Sequence, residues 1–190
     1  MARPLSEEKR YAILAAAAEA VAELGVSAPT AKIARAAGIA EGTLFSYFQT
    51  KDALLNQLFI QIKHEIGAAI LVDYRSGNSL AHGLRRAWER YIDWGTANPA
   101  KRRAMVQLAV SDRITKATRE ASAHALHETT DALDEGLRSG VIRKQPLEFV
   151  ACTIEALSEM TLQFIAREPT LRERYTRTGF ETLWNAISKR

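Results

Sequence analysis

The sequence predicts an all-α protein of about nine helices, a small three-helix module followed by a larger helical body. Three observations predict it. Apolar residues recur at helical spacing along most of the chain, as in Tyr11, Leu14, Ala18, Val21 and Leu24. The five prolines and ten glycines sit mostly between such periodic segments. Runs of alternating β-branched residues are scarce, so no strand is expected.

The elements follow in order. Ser6 is placed to cap a first helix, Glu7 and Glu8 occupy the turn where the helix dipole favours acids, and Gly25 ends it. A short helix follows Pro29 and stops at Gly38, and another covers Glu41 to Tyr47. Thr50 caps a long helix expected to reach Tyr74, with Arg75-Ser76-Gly77-Asn78 as a turn. Further helices are expected over Ser79 to Thr96, Pro99 to Val110 and Asp112 to Arg138. Ser139-Gly140 breaks the chain, Pro146 starts a helix ending near Glu168, and Pro169 opens the last one, to Ser188.

Composition narrows the class. With 190 residues, 47% of them hydrophobic and 25% charged, the chain can bury a real core. One cysteine, Cys152, excludes an internal disulfide framework and a cysteine-rich zinc site, and inside its apolar helix it reads as packing. The opening Met-Ala-Arg-Pro-Leu-Ser lacks the apolar core of a signal peptide. The longest apolar stretch, Leu54 to Val72, is interrupted by Gln57, Gln61, Lys63, His64 and Glu65, so no bilayer span and a cytoplasmic location are expected. The formal charge of +4 suits a polyanionic partner, yet residues 1–52 hold six basic and six acidic side chains. The excess lies in Lys101-Arg102-Arg103, Arg113, Lys116 and Arg119, which read as a solvated helix face.

The most informative stretch runs from Thr30 to Phe48. Ile33, Ala34 and Ala37 give a short helix a small-residue face that another helix can cross closely, and Gly38 sits where the chain turns sharply. Ile39 anchors the turn. Leu44 and Phe48, four apart, then face inward and leave Glu41, Gly42, Thr43, Ser46 and Tyr47 outward. Two short helices so joined are either an ordinary helical hairpin or a helix-turn-helix presenting its second helix to a DNA major groove.

The motifs here resemble the DNA-binding domain of the TetR family. They are Ile33-Ala34-Arg35-Ala36-Ala37-Gly38, then Thr43-Leu44-Phe45-Ser46-Tyr47-Phe48, then Lys51-Asp52-Ala53-Leu54. The likeness covers about residues 6–66, with the helix-turn-helix at about 29–48. It implies a DNA-binding domain over 1–50 and a helical effector-binding and dimerisation domain over 51–190. It also implies base or phosphate contacts from Glu41, Gly42, Thr43, Phe45, Ser46 and Tyr47, and phosphate contacts from Thr30, beside Ala31 and Lys32, and from Lys51. For Lys51 the physics agrees, because a cation beside free N–H groups at a helix start grips phosphate. Glu41 can accept from a cytosine amino group.

The sequence also departs from the family pattern. Phe45 stands where a tyrosine is usual and deletes a hydroxyl. Ala40 replaces the usual capping Ser or Thr, and Glu41 is acidic where a basic or polar residue is common. The loop before Ile33 is one residue short, and Thr30 takes an apolar residue's place. With no net charge over 1–52, these changes imply modest non-specific DNA affinity.

In the second half, the helix after Pro146 is apolar around most of its circumference, its acids Glu148, Glu155 and Glu159 forming a narrow stripe. Such a helix needs cover on two sides, and the family's last two long helices form a four-helix bundle with their copies. Leu157, Thr161, Phe180, Leu183, Trp184 and Ile187 are the expected dimer contacts. Trp88, Tyr91, Trp94, Met105, Leu108, Phe149, Cys152 and Phe164 are the expected lining of an effector pocket for a small hydrophobic or aromatic ligand, with plain core packing as the alternative. His124 and His127 lack a third ligand, so no metal or other cofactor is expected, and no catalytic constellation is recognisable. The reading is a homodimeric repressor on a near-palindromic operator, released by an effector. The alternative is a helical ligand-binding or adaptor protein with weakened DNA binding.

Overall fold

The computed structural model describes residues 6–72 and 79–189. Among them lie ten α-helices: α1 (Glu7–Leu24), α2 (Thr30–Ala36), α3 (Glu41–Tyr47), α4 (Lys51–Ile70), α5 (Leu80–Ala97), α6 (Pro99–Ala109), α7 (Lys116–Ala123), α8 (His127–Arg138), α9 (Leu147–Arg167) and α10 (Arg172–Ile187). The all-α expectation holds. The one extended pairing among these residues is an isolated bridge between Ile142 and Ser188.

The expected caps form. Ser6 Oγ accepts from the Lys9 N–H, and Thr50 Oγ1 accepts from the Ala53 N–H at 3.0 Å. Gly38 has φ 69°, a left-handed conformation that lets α2 turn at once into α3. The single helix expected over 112–138 is instead two. Thr115 caps α7 by accepting from Thr118, and a 3-10 turn at His124–Leu126 separates α7 from α8. Helix α4 ends at Ile70; Tyr74 and the expected turn at 75–78 lie outside the described residues.

The chain divides into two compact units. The first joins Met1–His64 to Asn98–His124, so α6 and α7 fold with the N-terminal helices. Its core takes Ile13, Leu14, Val21, Ile33, Leu44, Leu54, Leu55, Leu58 and Ile62, with Ala104 and Leu108 from α6. Small residues on α1, notably Ala16, Ala17 and Ala20, are buried and let α6 lie close against it. The segment after α6 is fastened to α4. The Asn56 amide donates to the Arg113 carbonyl at 2.8 Å, and the Thr115 N–H donates to the Asn56 carbonyl oxygen at 3.0 Å.

The second unit joins Glu65–Ala97 to Ala125–Arg190. Helices α5, α8, α9 and α10 enclose Leu84, Trp88, Ile92, Leu133, Val150, Leu162, Ile165, Phe180 and Leu183. The chain end is strapped across it. The Arg143 guanidinium donates to the Asn185 carbonyl at 2.8 Å and to the Ser188 carbonyl, closing the end of α10 where carbonyls lack helical partners. Arg143→Ala should therefore lower stability by about 1 kcal/mol, a loss measurable as a lower urea midpoint with an unchanged m-value.

Several expectations are corrected by this packing. Thr161, Phe180, Leu183 and Ile187 are buried in the chain's own core and cannot meet a partner. Leu157 and Trp184 pack against the same core, half-buried. The exposed side of α9 carries Phe149, Cys152, Ala156, Met160 and Phe164, so Cys152 is a surface residue. Helix α9 is also long and apolar enough to cross a membrane by length and composition, where the sequence predicts no span. Its Val150, Ser158, Thr161, Leu162 and Ile165 are buried against neighbouring helices. Within the basic run, Arg102 is buried at 7% exposure and is no solvated face residue.

Candidate nucleic-acid interface

The surface is built by two short helices that could not stand alone. Helices α2 and α3 have seven residues each, below the length at which an isolated helix persists in water, so their conformation is imposed by burial. Ile33 and Ala34 sink the inner side of α2; Leu44 and then Phe48 sink that of α3. Arg10 reinforces the arrangement from α1. Its guanidinium lies 5.8 Å from the centre of the Phe48 ring and donates to Gln57 Oε1 on α4 at 2.7 Å.

That burial leaves one polar face outward. Glu41, Gly42 and Ser46 are exposed, Thr43 and Tyr47 are half-buried, and Phe45 keeps 40% of its surface in solvent. The Tyr47 hydroxyl accepts from the Ser6 N–H at 3.1 Å, tying the end of α3 to the start of α1. Its own proton remains available to donate outward. The C-terminal end of α3 is thus fixed by a group outside it.

At the start of α2 Ala31 and Lys32 are exposed and Thr30 is half-buried. Lys32 pairs with Glu23 at 2.8 Å, both largely in solvent, an ion pair weak enough to be exchanged for phosphate. Thr30 Oγ1 donates to Glu41 Oε1 at 2.5 Å, so two of the expected DNA contacts touch each other. Lys51 opens α4, half-buried beside Asp52. Burial holds its ammonium below the ordinary lysine pKa, the Arg113 guanidinium adds to that, and Asp52 opposes both. Asp52 in turn accepts from Arg113 at 2.6 Å.

Arg113 is not among the contacts that the sequence predicts. It lies 61 residues from Asp52, and no periodicity links positions so far apart. Its neighbours change the charge balance as well. Residues 1–52 are neutral, but the first unit as a whole holds 13 basic and 8 acidic residues, the second 13 and 14. The basic run therefore makes the unit that carries α2 and α3 a cation, which favours a polyanion.

The expected pocket residues are divided between the two units. Met105 and Leu108 belong to the first unit, Leu108 being wholly buried. In the second, Trp88 is core, its indole N–H donating to the Thr176 carbonyl at 2.9 Å. Tyr91 and Trp94 stack with ring centres 6.0 Å apart. Phe149, Cys152 and Phe164 lie on the exposed side of α9.

Fold and surface together define a class, the helical transcription regulators that meet DNA through a helix-turn-helix. Similarity to known proteins points to the same class. Residues 13–58 match the family model of bacterial regulatory proteins of the tetR family. A tetR family protein from Shewanella sp. PV-4 is similar over 96% of this chain and 99% of its own, at 28% identity and a TM-score of 0.85. A TetR family transcription regulator from Marinobacter aquaeolei VT8 covers 97% of each chain at 27% identity and a TM-score of 0.88. FadR from Bacillus subtilis, solved in complex with stearoyl-CoA, shares the fold at 19% identity over 92% of this chain and 97% of its own, TM-score 0.70. Residues 13–58 thus carry a tetR-type DNA-binding segment, and the whole chain shares its fold with TetR family transcription regulators.

Proposed function

We propose that this protein is a transcriptional repressor that binds a near-palindromic operator as a homodimer and leaves it when a small, largely apolar effector binds. The observation that carries the DNA-binding part is the outward polar face of α3, held rigid by buried Leu44 and Phe48 and flanked by Thr30 and Lys51. A helix of seven residues reads few base pairs, and a dimer doubles the reading through two half-sites. The exposed apolar side of α9 supports the dimer, since Phe149 is 62% exposed, Met160 43% and Phe164 40%.

The test begins with gel shifts on DNA flanking the protein's own gene. Lys51→Ala should weaken operator binding and lower the salt slope by about one unit, as expected for one lost phosphate neutralisation. Tyr47→Phe should weaken binding with no change in slope, because a neutral hydroxyl releases no counterion. Normal operator binding by both variants would remove this docking geometry. Failure of the unmodified protein to shift any genomic fragment would favour a ligand-binding or adaptor protein instead.

Effector release draws its support from the stacked Tyr91–Trp94 pair and from FadR, a protein of the same fold that was solved with an acyl-CoA. Tryptophan quenching by acyl-CoA and by flat aromatic compounds, with and without operator, tests it. Operator must weaken the effector by the factor by which effector weakens operator. A ligand whose affinity ignores DNA is no inducer.

A further inference from the structure

The hydrogen bond between Thr30 and Glu41 bears on how the operator is read, and its meaning rests on the proposed DNA-binding role. Thr30 has one hydroxyl proton, and it is donated to Glu41 Oε1 at 2.5 Å, a bond strengthened by the carboxylate's charge. A phosphate oxygen is also an acceptor only, so the same proton cannot serve both. Glu41 is exposed in the first turn of α3, and Ala40 before it has no side chain to cap that turn. Among the described residues no cation pairs with Glu41. A glutamate so placed has several rotamers, and ordering it on binding costs entropy unless something orders it beforehand. Thr30 does so, fixing one oxygen and leaving the other open.

An unneutralised carboxylate on a face that approaches phosphates is repelled by DNA in general. Only a base that offers a donor in the major groove compensates for it. Guanine and thymine show acceptors there. Adenine shows an amino group beside the N7 acceptor, a pair that suits an amide better than a carboxylate. Cytosine shows its amino group alone. We propose that Thr30 is a positioning residue that aims Glu41 at a cytosine amino group, so that the pair selects a C·G base pair at one position of each half-site, and that Thr30 does not grip phosphate.

Selection from a library of randomised duplex DNA tests this, using the unmodified protein, Thr30→Val, Thr30→Ser, Glu41→Gln and the Thr30→Val/Glu41→Gln double variant. The unmodified protein should select C·G at one position per half-site. Glu41→Gln and Thr30→Val should each lose about tenfold of that preference, within the range for one good base contact. Glu41→Gln should also bind unrelated DNA more tightly. The double variant should lose no more than Glu41→Gln alone, since the two residues act as one unit. Thr30→Ser keeps the hydroxyl and should keep the preference, which separates loss of the bond from damage to α2. Thr30→Val weakening all sequences equally, and still doing so beside Glu41→Gln, would identify a phosphate grip and overturn the proposal. So would a C·G preference that survives Glu41→Gln. If the unmodified protein selects no sequence, the DNA-binding role itself fails and this proposal with it.

Discussion

Met160→Asp on α9 should convert the protein to a monomer and lower operator affinity by about a hundredfold or more. In a two-fold dimer one substitution places a carboxylate on each copy, and burying an unpaired charge costs several kcal/mol, where about 1.4 kcal/mol is a factor of ten. Met160 is the residue to change because it is 43% exposed within the chain, so the substitution leaves the monomer's own core intact. Ala156→Asp, on the same exposed side, should behave alike. Leu183→Asp should not, because Leu183 is 2% exposed and its replacement should unfold the second unit outright. Sedimentation gives the mass, and circular dichroism separates a folded monomer from an unfolded chain. An unmodified protein that sediments as a monomer, or a Met160→Asp variant that stays dimeric, overturns the α9 interface.

That contrast shows where sequence reading stops. The periodicity of α9 is legible because its apolar residues outnumber what one side can hold, and several of them, Phe149, Met160 and Phe164, are indeed exposed. Which side faces inward is not legible, since Phe164 and Ile165 are both apolar and only the packing of α5, α8 and α10 decides that the first is exposed and the second buried. Hence four of the six residues expected at a partner surface lie in the core, and part of the expected pocket lies on the surface. The helix-turn-helix is readable for the opposite reason. Its determinants, Gly38, Leu44, Phe48 and the Thr50 cap, act within a few residues of one another, so spacing carries the geometry. The Asp52–Arg113 pair and the Thr30–Glu41 bond depend on how separate helices are brought together. The charge of the first unit is invisible for the same reason, because its cations arrive with α6 and α7 from a later part of the chain.

Gly179→Ala should destabilise the second unit by about 2 kcal/mol, lowering the melting temperature by about 4–8 °C for a chain of this size. Helix propensity alone argues the reverse, since alanine in a helix interior is favoured over glycine by about 1 kcal/mol. Packing outweighs it. A Cβ at Gly179 would lie 2.5 Å from Thr161 Oγ1 and 2.7 Å from Trp88 Cζ2, inside the contact distance of both. Neither neighbour can turn aside cheaply. Thr161 Oγ1 donates to the Leu157 carbonyl at 2.8 Å, and the Trp88 indole is 3% exposed and bonded to Thr176, on the same helix as the glycine. Helix α10 must therefore move away from α9 and α5, loosening the layer that holds Phe180 and Leu183. Gly42→Ala is the matched control, because nothing lies within 4 Å of a Cβ there, and it should hold or slightly raise the melting temperature. Thr161→Ala removes the nearer obstacle. Combined with Gly179→Ala it should cost less than the two single changes added together, the sign expected when one substitution makes room for the other. A double variant whose loss equals that sum would place the cause somewhere other than this contact.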